Sequence, residues 1–213
     1  QGHSINQQKR LIDHALDLGI NMIDSSSNYS NSEELLGKSL AGIPRNKYYI
    51  CTKWPARDDS GATVSNPDKL VAAIDASLSR LNVDYLDVMM LHGVLPSEYD
   101  LIVDKLAEPL IKAKTSGKIH SIGLSTRFSV DPAQKGALEA LEKHPELWEV
   151  LMVKYGILNQ HASEFILPLA KQHSVGIMNM AAVRVKLPDK KLLEELILRW
   201  KSENLIEKES LPD

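Results

Sequence analysis

With 213 residues, 43% of them hydrophobic, the chain can bury a large core and fits one domain over residues 1–213, globular rather than disordered. Its formal net charge of -3 is spread along the chain and offers no electrostatic footprint for nucleic acid or an anionic membrane. The single Cys51 excludes an internal disulfide framework, no apolar run approaches the roughly 20 residues of a membrane helix, and no signal-peptide pattern opens the sequence, so the expected location is the cytoplasm.

After a polar start, Leu11, Ile12, Ala15, Leu16 and Leu18 recur with helical spacing, and Gly19 ends that helix. Ile20 to Asp24 follows as a strand closing on a carboxylate. Asn31 and Glu34 have capping-box spacing for a helix through about Leu40. Tyr48 to Lys53 is a strand rich in β-formers, whereas the loop from Trp54 to Ser65 has no apolar periodicity. Asn66-Pro67 supplies an N-cap and a first-turn proline for a helix with Leu70, Val71, Ile74, Leu78 and Leu81 on one face. Leu86 to His92 is the third strand. A long helix from about Ser97 then ends near Ser116-Gly117, where glycine can turn left-handed. Ile119 to Leu124, Val150 to Lys154 and Val175 to Met180 complete the strands. The helices among them open at Asp131-Pro132, span Ala162 to Gln172, and run from about Lys190 to Glu203.

Strict alternation of near-continuously apolar strands with helices means a parallel sheet covered by helices. Two architectures fit: an open doubly wound sheet or a (β/α)8 TIM barrel. A nucleotide-binding open sheet carries a glycine-rich turn after its first strand, and Asp24-Ser25-Ser26-Ser27 stands there instead. Barrels gather function at the C-terminal ends of several strands. Asp24, Lys53 and His92 end three successive ones, so the barrel is the better reading.

Neighbouring parallel strands lie about 4.8 Å apart, so groups at their ends can converge. A free phenol, with a pKa near 10, resists deprotonation, and an adjacent ammonium favours the phenolate. Asp24 would hold Lys53 charged and aimed, and His92 could donate a hydrogen bond to a substrate oxygen. With Tyr29 protonating that oxygen, the set suits carbonyl reduction. No side chain supplies a hydride, which implies a nicotinamide cofactor.

These residues lie in a pattern that resembles the aldo-keto reductases. The resemblance runs through Asn21-Met22-Ile23-Asp24-Ser25-Ser26-Ser27-Asn28-Tyr29, Ser32-Glu33-Glu34-Leu35-Leu36-Gly37 and Cys51-Thr52-Lys53. It continues in Ser77 to Asp87, Leu91-His92, Gly117-Lys118-Ile119 and Ile122-Gly123-Leu124-Ser125, in family order and at family-like spacing. It implies a (β/α)8 barrel, reversible carbonyl reduction linked to NADPH (with NADH the alternative), and a catalytic tetrad matching Asp24, Tyr29, Lys53 and His92. It also implies that Ser125 contacts the nicotinamide amide and that Tyr155 stacks on the ring. Thr126 stands in the cofactor floor where asparagine is usual, and Met152 where glutamine is frequent. The implied substrate is a small carbonyl or sugar-type alcohol, and the chain is expected as a monomer or small homo-oligomer.

The family also has an opening strand, and a closing strand, loop and helix that grip the adenosine phosphate. Gln1 to Asn6 does not read as a strand and nothing after Asp213 supplies the closing part, so the barrel reads as incomplete, with a junction suspected at Val185-Lys186-Leu187-Pro188. A tetrad-bearing barrel acting as a binding or regulatory subunit is therefore the alternative. Other features have plainer readings. Trp54 lines the substrate mouth or packs. The remaining histidines lack paired metal-ligand spacing. Arg57 to Gly61 lacks the alternating ligands of a calcium loop, Gly123-Leu124-Ser125 lacks the second glycine of a nucleophile elbow, and Cys51 packs as a small hydrophobe. Arg184 meets a phosphate or a substrate acid, or is a surface residue.

Overall fold

All the expected strands and helices form, with their ends moved where local bonds outweigh the apolar pattern. The computed structural model describes residues 4–58, 60–183, 186–207 and 209; Arg184 and Val185 lie outside them. The strands are β1 (Met22–Asp24), β2 (Tyr49–Pro55), β3 (Leu86–Val94), β4 (Ile119–Thr126), β5 (Val150–Lys154) and β6 (Gly176–Met180). The helices are α1 (Ile5–Asp17), α2 (Ser32–Leu40), α3 (Pro67–Leu81), α4 (Tyr99–Thr115), α5 (Lys135–Lys143), α6 (Ile166–Gln172) and α7 (Lys190–Ser202).

Helix α1 starts ahead of its apolar periodicity because Ser4 and Gln7 form a reciprocal capping box. The expected box at α2 does not form: Asn31 caps without a side-chain bond. Glu33 instead turns inward, accepting from Thr52 Oγ1 at 2.5 Å and Arg80 Nε at 2.7 Å, and so ties α2 to β2 and α3. Gly37 completes that junction, since a Cβ there would lie 2.5 Å from the Arg80 carbonyl oxygen. Helix α3 begins as expected, with Asn66 Oδ1 accepting from the Asp68 N–H at 2.9 Å. Helix α5 starts later than Asp131-Pro132. Gln134 takes a left-handed φ of 56° at its cap, and Asp131 Oδ2 accepts from the Gly136 N–H at 3.0 Å.

The six strands lie in sequence order in one sheet, every neighbouring pair parallel. Alternate side chains decide between the two architectures. Ile50, Met89, Leu91, Leu124, Leu151 and Val153 join helix residues such as Leu70, Ile102, Leu106 and Leu141 in one large core. The opposite face holds a smaller cluster of Cys51, Val88, Met90 and Met152, packed with Met178 and Met180, all of them strand residues. Helices on one face, with strand side chains filling the other, is barrel construction; a doubly wound sheet has helices on both faces. Among the described residues, strand β1 pairs only with β2, and β6 only with β5. Met22 and Ile177 are exposed on those edge strands, and neither α1 nor α7 buries a residue. Among the described residues no helix is long and apolar enough to cross a membrane.

Candidate active site

The period-two alternation that fills the inner face also loads its C-terminal rim. Lys53 stands two residues beyond Cys51, His92 two beyond Met90, and Ser125 two beyond Gly123, so all three point the way the inner cluster points. In register, His92 sits beside Ser125, and Ser125 beside Met152. Strand β3 then bulges: Gly93 takes φ 73° and the pairing slips between His92 and Val94, which ends the strand just past the imidazole. Trp54 alternates with Lys53 and therefore packs against the helix-side core rather than into the mouth.

Lys53 is 1% exposed. A buried ammonium is tolerable only when paired, and Nζ donates to Asp24 Oδ1 at 2.5 Å and to the Ser25 carbonyl at 2.6 Å. The same Nζ lies 5.4 Å from the Tyr29 ring centroid. Tyr29, 45% exposed on the β1–α2 loop, presents its ring nearly perpendicular to His92, with centroids 5.7 Å apart. The four residues expected to act together thus meet at one rim. Burial, reinforced by the Lys53 charge and opposed by Asp24, pushes His92 down to about 4, so the ring is neutral at neutral pH. The Cys51 thiol beneath is pushed up by burial, as befits a packing residue.

Ser26 is a participant that the sequence did not announce. Its hydroxyl lies 3.1 Å from His92 Nδ1, 2.6 Å from Asn28 Oδ1 and 3.0 Å from the Lys53 carbonyl. It therefore holds the imidazole by Nδ1 and leaves Nε2 for the mouth. In the Ser25-Ser26-Ser27 run it looks like loop filler; only the fold brings it to His92.

The cofactor candidates divide. Ser125 is 1% exposed and, among the described residues, its Oγ has no hydrogen-bond partner. Thr126 is buried beside it, but its hydroxyl is engaged by Gln134 Oε1 at 3.2 Å. Gln134 also accepts from the Lys154 N–H at 2.6 Å and donates to the Lys154 carbonyl at 2.8 Å, a clamp between the β4–α5 loop and the end of β5. Nothing local marks Gln134, because its partners lie far along the sequence. Met152 is buried in the inner cluster, and Tyr155 is half-exposed just past β5 with its N–H bonded to Asn179 Oδ1 at 2.9 Å. Above these groups opens a cleft of about 500 Å³ whose walls include Asn28, Tyr29, His92, Thr126, Phe128 and Met180.

Residues 2–198 match the Aldo/keto reductase family. The chain belongs to the aldo-keto reductase family. Among curated relatives, it is 29% identical to an L-galactose dehydrogenase of Arabidopsis thaliana over 81% of this chain and 54% of that protein. It is 30% identical to a methylglyoxal reductase of Yersinia pestis over 92% of this chain and 70% of that one. The chain therefore spans little more than half the length of the Arabidopsis relative. A holo-form aldo-keto reductase structure from Bacillus halodurans superposes with a TM-score of 0.68 at 28% identity, covering 84% of this chain and 58% of that one. The aldo-keto reductase fold is the (β/α)8 barrel, six of whose strands are described above.

Proposed function

We propose that this protein transfers hydride between a nicotinamide cofactor, NADPH or alternatively NADH, and a small carbonyl or sugar-type alcohol, with Tyr29 as the general acid/base. The observation that carries the reading is the meeting of Tyr29, His92 and the Lys53–Asp24 pair at one rim, beside a buried hydroxyl without a partner. The relatives' names, a methylglyoxal reductase and an L-galactose dehydrogenase, point to the same substrate range.

The residues present fit a nicotinamide. An unpartnered buried hydroxyl costs roughly 1–3 kcal/mol, and a carboxamide, with both donor and acceptor groups, is the kind of partner Ser125 Oγ lacks. Ser125 would hold that amide and Tyr155 would flank the ring, with Thr126 serving the floor through Gln134. When bound, the cofactor supplies or accepts the hydride.

The chain's own groups manage the oxygen and its proton. With the one Ser26 hydroxyl proton turned to Nδ1, neutral His92 carries its own proton on Nε2, directs it at the carbonyl oxygen and orients that oxygen. Tyr29 gives its proton to that oxygen as negative charge develops. The Lys53 ammonium, kept charged and fixed by Asp24, stabilises the phenolate left behind. A positioned general acid of this kind contributes roughly 10²–10⁴ in rate. The test is steady-state oxidation of NADPH with methylglyoxal and aromatic aldehydes, for the protein and for Tyr29→Phe. Turnover that depends on Tyr29 is the expected result; its absence with every aldehyde sinks the reductase reading.

A further inference from the structure

Two guanidinium groups reach the cleft, and they are not equivalent. Arg57 is spent: it pairs with the buried Glu98, which also accepts from Leu95 N at 2.9 Å and Thr63 Oγ1 at 2.7 Å. The second, Arg127, follows β4 directly and lines the same cleft as Tyr29 and His92. Among the described residues its guanidinium has no ion-pair or hydrogen-bond partner. Its stem crosses Gly93, with Cβ, Cγ and Cδ passing 3.7–3.9 Å from where a side chain at 93 would begin. The arginine stem thus packs along the bulge, at ordinary contact distance, beside the residue proposed to take the substrate oxygen. The carboxylate in the same wall forms no ion pair with it among the described residues. Asp58 Oδ1 accepts from Ser60 N at 3.0 Å, Ser60 Oγ at 2.6 Å and Ala62 N at 3.0 Å, all within its own turn. The Lys154 ammonium adds positive charge nearby, 4.3 Å over the Phe128 ring in the cleft wall.

We infer that Arg127 makes this mouth selective for carbonyl substrates that carry an anionic group, a carboxylate or a phosphate. The inference rests on the proposed reductase function for the reaction, but on the cleft alone for the anion. A guanidinium fork matches either anion with two parallel hydrogen bonds. The anion belongs to the substrate rather than to the cofactor because Arg127 leans over Gly93, next to His92 on the oxygen-binding side.

The test compares para-carboxybenzaldehyde with the neutral para-nitrobenzaldehyde, in the protein, in Arg127→Met and in Arg127→Lys. Binding is read by calorimetry without cofactor, and kcat/KM is read wherever turnover occurs. The expected result is about tenfold tighter binding of the carboxylated aldehyde relative to the neutral one, a ratio that shrinks with added salt. Arg127→Met should bring the ratio close to one and Arg127→Lys should keep part of it. If neither aldehyde turns over but the binding ratio still collapses in Arg127→Met, the reductase reading fails and the anion site stands. A wild-type protein without preference, or a preference unchanged in Arg127→Met, overturns the site. NADPH and NADH titrations separate the source: a loss confined to NADPH in Arg127→Met, with the aldehyde ratio intact, would move the anion to the cofactor and overturn the substrate assignment.

Discussion

The two sides of the cleft are built on opposite principles. On the β1–β3 side the groups around Tyr29 are satisfied from within: Lys53 by Asp24 and the Ser25 carbonyl, and His92 at Nδ1 by Ser26, which also meets Asn28. On the β4–β5 side, groups stand open: among the described residues Ser125 Oγ has no partner and the Arg127 guanidinium is unpaired, and Tyr155 is half-exposed. Residues that tune and aim the proton donor are locked by the protein before any ligand arrives. Residues that must hold a ligand keep their bonding capacity free for it. The difference separates acting groups from receiving groups without knowledge of the substrate.

Substitutions should therefore behave differently on the two sides. The largest effect belongs to Tyr29→Phe, which keeps the ring against His92 and removes the proton. Steady-state kinetics should lose about 10²–10⁴ in kcat, with the melting temperature nearly unchanged because Tyr29 is half-exposed. Next comes the pH dependence of stability. His92 stays neutral in the fold down to about 4, below its ordinary 6.5. The unfolded chain takes up the proton first, so the neutral ring's contribution is complete above about pH 6.5 and is lost as pH falls toward 4. The loss is on the order of 1–3 kcal/mol. Denaturant titrations should show this acid limb flattened in His92→Gln.

Smaller effects sharpen the contrast. Ser26→Ala frees the imidazole at Nδ1 and should lower kcat about tenfold, roughly 1.4 kcal/mol of transition-state stabilisation, while NADPH titration finds cofactor binding intact. The smallest should come from the paired neighbours Ser125 and Thr126. Thr126→Val breaks the bond to Gln134 and should cost about 1 kcal/mol of stability. Ser125→Ala removes a hydroxyl without a partner and should leave stability within about 0.5 kcal/mol while weakening NADPH several-fold. Equal stability losses at both would erase the distinction between satisfied and open groups.

The barrel was legible because its signals are local and repetitive. Apolar strands spaced between capped helices announce a parallel sheet, and Asp24, Lys53 and His92 at successive strand ends announce where its chemistry sits. Strand ends were underestimated: Pro55, Val94 and Thr126 remain paired through their neighbours' register, which no single strand's composition reveals. Glu33 was read only as part of a motif, and its burial against Thr52 and Arg80 depends on three elements meeting. Ser26, Gln134 and Arg127 were missed for the same reason. Serine, glutamine and arginine in loops look solvated until the fold supplies partners, or conspicuously withholds them.

The central claim is that the locked side delivers a proton while hydride is exchanged above it. It is tested most directly by following deuterium from NADPH labelled at nicotinamide C4 into the product alcohol by mass spectrometry, for the protein and for Tyr29→Phe. Deuterium at the carbinol carbon from the protein, with transfer by Tyr29→Phe reduced at least a hundredfold, is the expected result. No label in the alcohol, or equal transfer by Tyr29→Phe, would contradict the account.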